Sequence, residues 1–176
     1  MQTLLSKIIS SIDAINEWVG KTISWLTLLM VLVTFLIVVL RKVNNIGWIS
    51  MQESVVFMHS LVFLLGAAYT LKQEGHVRVD IFYRNLSPVG KAWIDCLGAL
   101  FLLIPVSVFI FWYSFDYVAS SWALKEGSRE AGGLPGVYLL KTTLLIMPSL
   151  IILQGITQIL KSIMIIIQNK QGFITS

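Results

Sequence analysis

Glu74, His76, Arg78, Asp80 and Arg84 form the densest run of ionisable side chains in the sequence, in and just after "KQEGHVRVDIFY" (72–83). His76, Asp80 and Arg84 are spaced four apart, so on a helix they share a face and can pair. Such a set can tie down a segment or meet an anionic headgroup; an ordinary surface pair gives the same pattern. A second group, Glu126, Arg129 and Glu130, offers both signs of charge to a partner. His59 stands alone in an apolar stretch. Haem ligation would want a second histidine at matching depth, and His76 lies seventeen residues on. A histidine hydrogen-bonded to a neighbouring helix is the simpler expectation for His59. HExxH, CxxC, GxSxG and P-loop motifs are absent, and the single Cys96 excludes an internal disulfide or a cysteine-based metal site. No catalytic, metal, substrate-binding or cofactor residue is assigned, and no enzyme is expected.

The elements that must carry these groups are set by hydrophobicity. Of 176 residues, 56% are hydrophobic and only 12% charged, where water-soluble domains carry about 25% charged. Residues 22–40, 54–71, 96–115 and 142–160 contain no Asp, Glu, Lys or Arg. Nineteen helical residues reach roughly 28 Å, close to the hydrocarbon thickness. The expectation is an all-α integral membrane protein, a single domain over 1–176 with four transmembrane helices at about 19–40, 51–72, 91–115 and 137–167. The first is too long and too late for a signal peptide and lacks a cleavage site. The formal charge of +4 therefore bears on loop placement, not on nucleic acid.

Four spans put both termini and the middle loop on one side. That side carries eight Lys and Arg, the other five, so positive-inside logic makes it cytoplasmic. Trp18, Trp25, Trp48, Trp93 and Trp112 fall near span ends as interfacial anchors.

Two further segments read as lying on the membrane. In residues 1–18, Leu4, Leu5, Ile8, Ile9, Ile12 and Ile15 share one helical face, and Ser6, Lys7, Ser10, Asp13 and Glu17 the other. This is an amphipathic arm along the interface, or else a stalk packed on the rest of the protein. In the middle loop Val79, Phe82, Tyr83 and Leu86 have helical spacing before Pro88, giving a short interfacial helix over about 78–87. The outer connection, 116–136, is polar at its centre, and Gly132, Gly133, Pro135 and Gly136 shape a turn before the last span.

No span has an acid or base at its centre, where a proton- or ion-coupled carrier usually shows one. Nor is there an internal repeat of broken helices. What remains is a helper.

The second span ending in "LKQEGHVRVDIFY", the amphipathic arm and the proline-containing fourth span "LLKTTLLIMPSLIILQGITQIL" resemble the small membrane subunit of TRAP (tripartite ATP-independent periplasmic) transporters, the DctQ-like Q subunit. The resemblance covers nearly the whole chain. It implies a bacterial inner-membrane complex in which a periplasmic binding protein captures an organic acid. A large membrane subunit of about twelve spans then carries the substrate inward with Na⁺ by an elevator motion. The small subunit would stay fixed against it and help present a docking surface. On that reading Glu74, Gly75, His76, Arg78, Asp80 and Arg84 lock the middle loop to the large subunit or to phospholipid, while Glu126, Arg129 and Glu130 meet the binding protein. The rivals are an autonomous four-helix carrier and the membrane anchor of a respiratory enzyme.

Overall fold

In the computed structural model the backbone is described for residues 2–75, 83 and 85–174, and the side chains for 5–75, 83 and 85–169. His76, Arg78, Asp80 and Arg84, with six of the ten residues of the expected 78–87 helix, lie outside the described residues; of that stretch Tyr83 is helical and residues 85–87 are not. Every regular element among the described residues is helical. Physical chemistry dictates this for a chain so apolar. Away from water each backbone N–H and C=O must be satisfied within its own segment.

Helix α1 (Gln2–Asn44) joins the expected arm and first span into one rod of 43 residues, about 65 Å long. That is roughly twice the hydrocarbon thickness. Arg41 and Lys42 sit in its last turn, where cations suit the carbonyl end of the helix. It ends at Asn45, whose φ is 54°, with the Ile46 N–H donating to the Leu40 carbonyl at 3.3 Å. Helix α2 (Ile49–Lys72) returns and stops in a Schellman turn. Glu74 adopts φ 55°, its N–H donates to the Leu71 carbonyl at 3.1 Å, and that of Gly75 donates to the Thr70 carbonyl at 2.9 Å.

The third span begins at Ser87, whose hydroxyl accepts the Gly90 N–H at 3.1 Å, with Pro88 in the first turn of α3 (Pro88–Gly98). A π-helical turn (Ala99–Leu103) connects it to α4 (Ile104–Ala123). Pro105 supplies the reason. It cannot donate to the Phe101 carbonyl, and a widened turn before it relieves the clash of its ring with that carbonyl. Helix α4 continues to Ala123, so the connection expected over 116–136 shortens to 124–136; Asp116, Ser120 and Ser121 are helical. Helix α5 (Val137–Ile174) contains Pro148.

Helix α5 packs against every other helix and lies between the α1–α2 pair and the α3–α4 span. The contacts are made by small or short polar residues: Ala68, Ala92, Ala99, Ser107, Ser121, Thr143, Thr157 and Ser162 are buried. Phe35, Phe63, Phe101, Leu102, Trp112 and Tyr113 point outward. Small residues at helix contacts and large apolar ones outside are what a hydrocarbon solvent selects. The four long helices are each apolar enough to cross a bilayer. This is a multi-pass membrane protein.

Candidate functional site

Two polar clusters occupy opposite ends of the four-helix assembly. At the end shared by the N-terminal arm and the C-terminal half of α5, Asn16 and Gln154 are nearly inaccessible, at 1% and 3% exposure. The Asn16 amide donates to Gln154 Oε1 at 2.6 Å, and the Gln154 amide donates to Asp13 Oδ1 at 3.1 Å. Lys161 reaches Asp13 Oδ2 at 2.7 Å. Lys72, at the end of α2, donates to the Asp13 carbonyl at 3.0 Å and pairs with Glu17, which also pairs with Lys21. Three helices are thereby tied at one point. Spacing put Asp13 and Glu17 on the polar face of the arm; the structure turns that face onto α2 and α5, leaving Ile8 and Ile15 exposed. For residues 13–17 the packed alternative describes the chain. Asn16 was not legible as a contact, because one amide in an apolar helix carries no spacing signal.

Beside this lock a cleft of about 330 Å³ opens between the end of α2, the start of α3 and α5. Lys72, Lys91, Asp95 and Lys161 line it. Tyr83 donates its hydroxyl to Asp95 at 2.7 Å, with the Lys91 ammonium 5.4 Å from the centre of its ring. Of the motif singled out from the sequence, only Glu74 and Gly75 are described. Glu74 is exposed at the turn that ends α2.

At the opposite end residues 124–136 fold into a tight cap. Helix α4 stops in a second Schellman turn: Lys125 adopts φ 47°, its N–H donates to the Trp122 carbonyl at 3.2 Å, and that of Glu126 donates to the Ser121 carbonyl at 3.0 Å. The Glu126 carboxylate accepts from the buried Ser121 hydroxyl at 2.7 Å and pairs with Lys141 on α5. Those bonds, that from Lys141 first, hold the Glu126 carboxyl below the usual glutamate range. From α2, Glu53 accepts the Ser128 hydroxyl and the Leu134 N–H at 2.6 Å. A side chain at Gly133 would run into Glu53 Oε2 at 2.7 Å, which is why glycine stands there. Trp122 packs edge-on against Tyr138 at 4.7 Å, donates to Thr142 at 2.8 Å and carries Lys125 over its face at 4.6 Å.

The three charged residues singled out in this connection are therefore separated. Glu126 is an internal fastener, whereas Arg129 and Glu130 are exposed. Glu53 and Ser128 are the members that sequence reasoning missed, since they lie 75 residues apart. His59 also departs from expectation. It is exposed and, among the described residues, has no hydrogen-bond partner on a neighbouring helix; Phe63 stacks on it at 6.3 Å. No group of three His, Cys, Asp or Glu suited to a metal occurs among the described residues.

The family model of the DctQ component of tripartite ATP-independent periplasmic transporters matches residues 30–164, about three quarters of the chain. The chain belongs to the DctQ family. The matched region contains the outer cap, Gln154 and Lys161, but begins after Asp13, Asn16 and Glu17. Over 116 residues the chain is 27% identical to the C4-dicarboxylate TRAP transporter small permease protein DctQ of Vibrio cholerae serotype O1 (strain ATCC 39315 / El Tor Inaba N16961), covering 66% of this chain. The match spans about half, 48%, of that relative's length. No solved structure matches. The family is described as the DctQ component of these transporters.

Proposed function

We propose that this DctQ-family chain is the stationary, non-catalytic subunit of a Na⁺-coupled TRAP transporter for organic acids or related solutes. It braces a large elevator-type membrane subunit and helps dock the periplasmic substrate-binding protein. One observation carries the reading. Fixed polar and ionic contacts are concentrated towards the two ends of the helices, with no Asp, Glu, Lys or Arg and the single imidazole of His59 between them among the described residues. The 65 Å rod of α1, tied at Asp13, Asn16 and Glu17 to two other helices, suits a body that must resist tilting while a neighbour moves. The chain lies in the bacterial inner membrane with both termini cytoplasmic, in keeping with its lysine and arginine distribution. The outer cap then faces the periplasm, and its exposed Arg129 and Glu130 meet the binding protein. On the cytoplasmic side His76, Arg78, Asp80 and Arg84 fix the middle loop to the large subunit or the lipid surface. The cleft lined by Lys72, Lys91 and Lys161 accepts an anionic phospholipid headgroup, with roughly 1 kcal/mol per basic residue available.

Reconstitution tests this. Proteoliposomes holding this chain and the large subunit, supplied with the binding protein and a Na⁺ gradient, should accumulate substrate, and omission of any one component should abolish uptake. Uptake by this chain alone would replace the reading with an autonomous carrier.

A further inference from the structure

Helix α2 presents an outward stripe, interrupted at the half-buried Gly66 and Ala67: Gln52, Val56, His59, Phe63 and Thr70 are all exposed, at offsets of four, three, four and seven residues that keep them on one face. Val56 and Phe63 are 57% and 72% accessible. Helices α1 and α5 take the other sides of α2, and among the described residues nothing covers these five side chains. His59 stands ten residues from the start of α2 and thirteen from its end, roughly 15 and 20 Å along the axis. That is near the middle of the span. Imidazole has a ring N–H and a ring nitrogen acceptor, and hydrocarbon satisfies neither. Ionisable side chains at such depth face protein or water and pair there. Helix α2 is also the least apolar of the four spans, as befits one shielded from lipid.

We infer that the Gln52–Val56–His59–Phe63–Thr70 face of α2 is covered in the assembled transporter by a transmembrane helix of the large membrane subunit. That helix supplies a hydrogen-bonding side chain or free carbonyl to His59 near the bilayer midplane. The inference rests on the stator reading and adds to it the contact face and the chemistry of the contact. Phe63, stacked on His59, provides the apolar area, and His59 fixes register in depth. Partner helices offering only leucine and valine at that level leave the imidazole unsatisfied and are rejected. The outer faces of α1 and α4, by contrast, carry no Asp, Glu, His, Lys or Arg at mid-span; Leu28, Leu32, Phe35 and Phe109 are exposed there, and the exposed Thr34 hydroxyl donates to the Met30 carbonyl of its own helix, so neither face leaves an ionisable group to lipid.

The test uses the full chain co-expressed with the large membrane subunit proposed for it. A benzophenone amino acid replaces Phe63 in one variant and Phe109 in another. Illumination should join the Phe63 position to the large subunit and the Phe109 position to lipid. H59L should reduce the fraction of large subunit retained on the tagged chain about threefold, the effect of one interhelical hydrogen bond in a membrane, while H59Q should retain most of it. Attachment from the Phe109 position alone, attachment from Phe63 to a second copy of this chain, or retention unchanged or improved in H59L would each overturn the inference. Leucine should improve matters if the stripe meets only lipid. Failure of the unsubstituted pair to co-purify would instead sink the stator reading itself.

Discussion

Replacing Gln154 by leucine keeps nearly the same volume but removes both hydrogen bonds that Gln154 makes, the 2.6 Å bond from Asn16 and the 3.1 Å bond to Asp13. In a membrane each such bond contributes on average about 0.6 kcal/mol. The groups left behind cost more. The Asn16 amide, at 1% exposure, loses its acceptor, and its own Oδ1 has no partner among the described residues. A buried donor left unpaired costs about 1–3 kcal/mol. Together these effects predict that Q154L weakens attachment of the N-terminal part of α1 by about 2–4 kcal/mol. Amide hydrogen exchange in nanodiscs reads this directly, and residues 5–20 should lose one to three decades of protection while the ends of α4 and α5 at the outer cap do not change. The double variant N16L/Q154L removes both partners together and should recover most of the protection, since two apolar groups of similar shape leave nothing unsatisfied. Unchanged protection in Q154L would refute the assignment of this cluster as the fastener of the arm.

The outer cap should loosen in acid. The Glu126 carboxyl is held below its ordinary value of 4.5 by Lys141 and Ser121, so its contribution is complete above that pH and is lost as pH falls further, through the depressed folded value. Exchange protection at residues 126 and 138, whose N–H groups bond to the Ser121 and Glu126 carbonyls, should fall below about pH 4.5 and stay flat above it; E126Q should show a smaller fall there, because the Glu53 carboxylate that holds Ser128 and Leu134 still remains to be protonated. Gly20 lies against Tyr69, where an added Cβ would sit 2.6 Å from the Tyr69 Cβ, so G20V should separate α1 from α2 at about 1–3 kcal/mol, seen as a lower unfolding temperature and partly reversed by Y69A. Charge reversal divides the outer connection in two. R129E and E130K should weaken capture of the binding protein with melting unchanged, whereas E126K places a cation against Lys141 and should lower the melting temperature as well.

Much of the architecture was legible because hydrocarbon imposes a coarse rule: stretches without charge, long enough to span, become helices. The ends of those helices were harder to read. Asp116 and Ser120 looked like loop, yet α4 continues to Ala123 because these residues sit on a turn already past the apolar stretch, where helix and water are compatible. The αL residues Asn45, Glu74 and Lys125 close three helices without glycine, so the usual stop signal was missing. Long-range polar pairing was hidden for a different reason. Glu53 with Ser128, and Asn16 with Gln154, meet only after the helices dock, and each alone resembles an ordinary surface or span-end residue. The arm shows both limits at once. Its periodicity suggests an apolar and a polar face, yet Ile8 and Ile15 are exposed along with Lys7 and Ser10, while Asp13 and Glu17 meet Lys161 and Lys72. The opposite error holds for His59, where the expected internal partner is absent among the described residues and the imidazole faces outward.

The most direct test of the central claim is the mass of the complex formed when this chain, tagged, is co-expressed with the large membrane subunit proposed for it and extracted into nanodiscs. The account predicts a stable particle with one copy of each chain. A homo-oligomer of this chain that leaves the large subunit behind would contradict it.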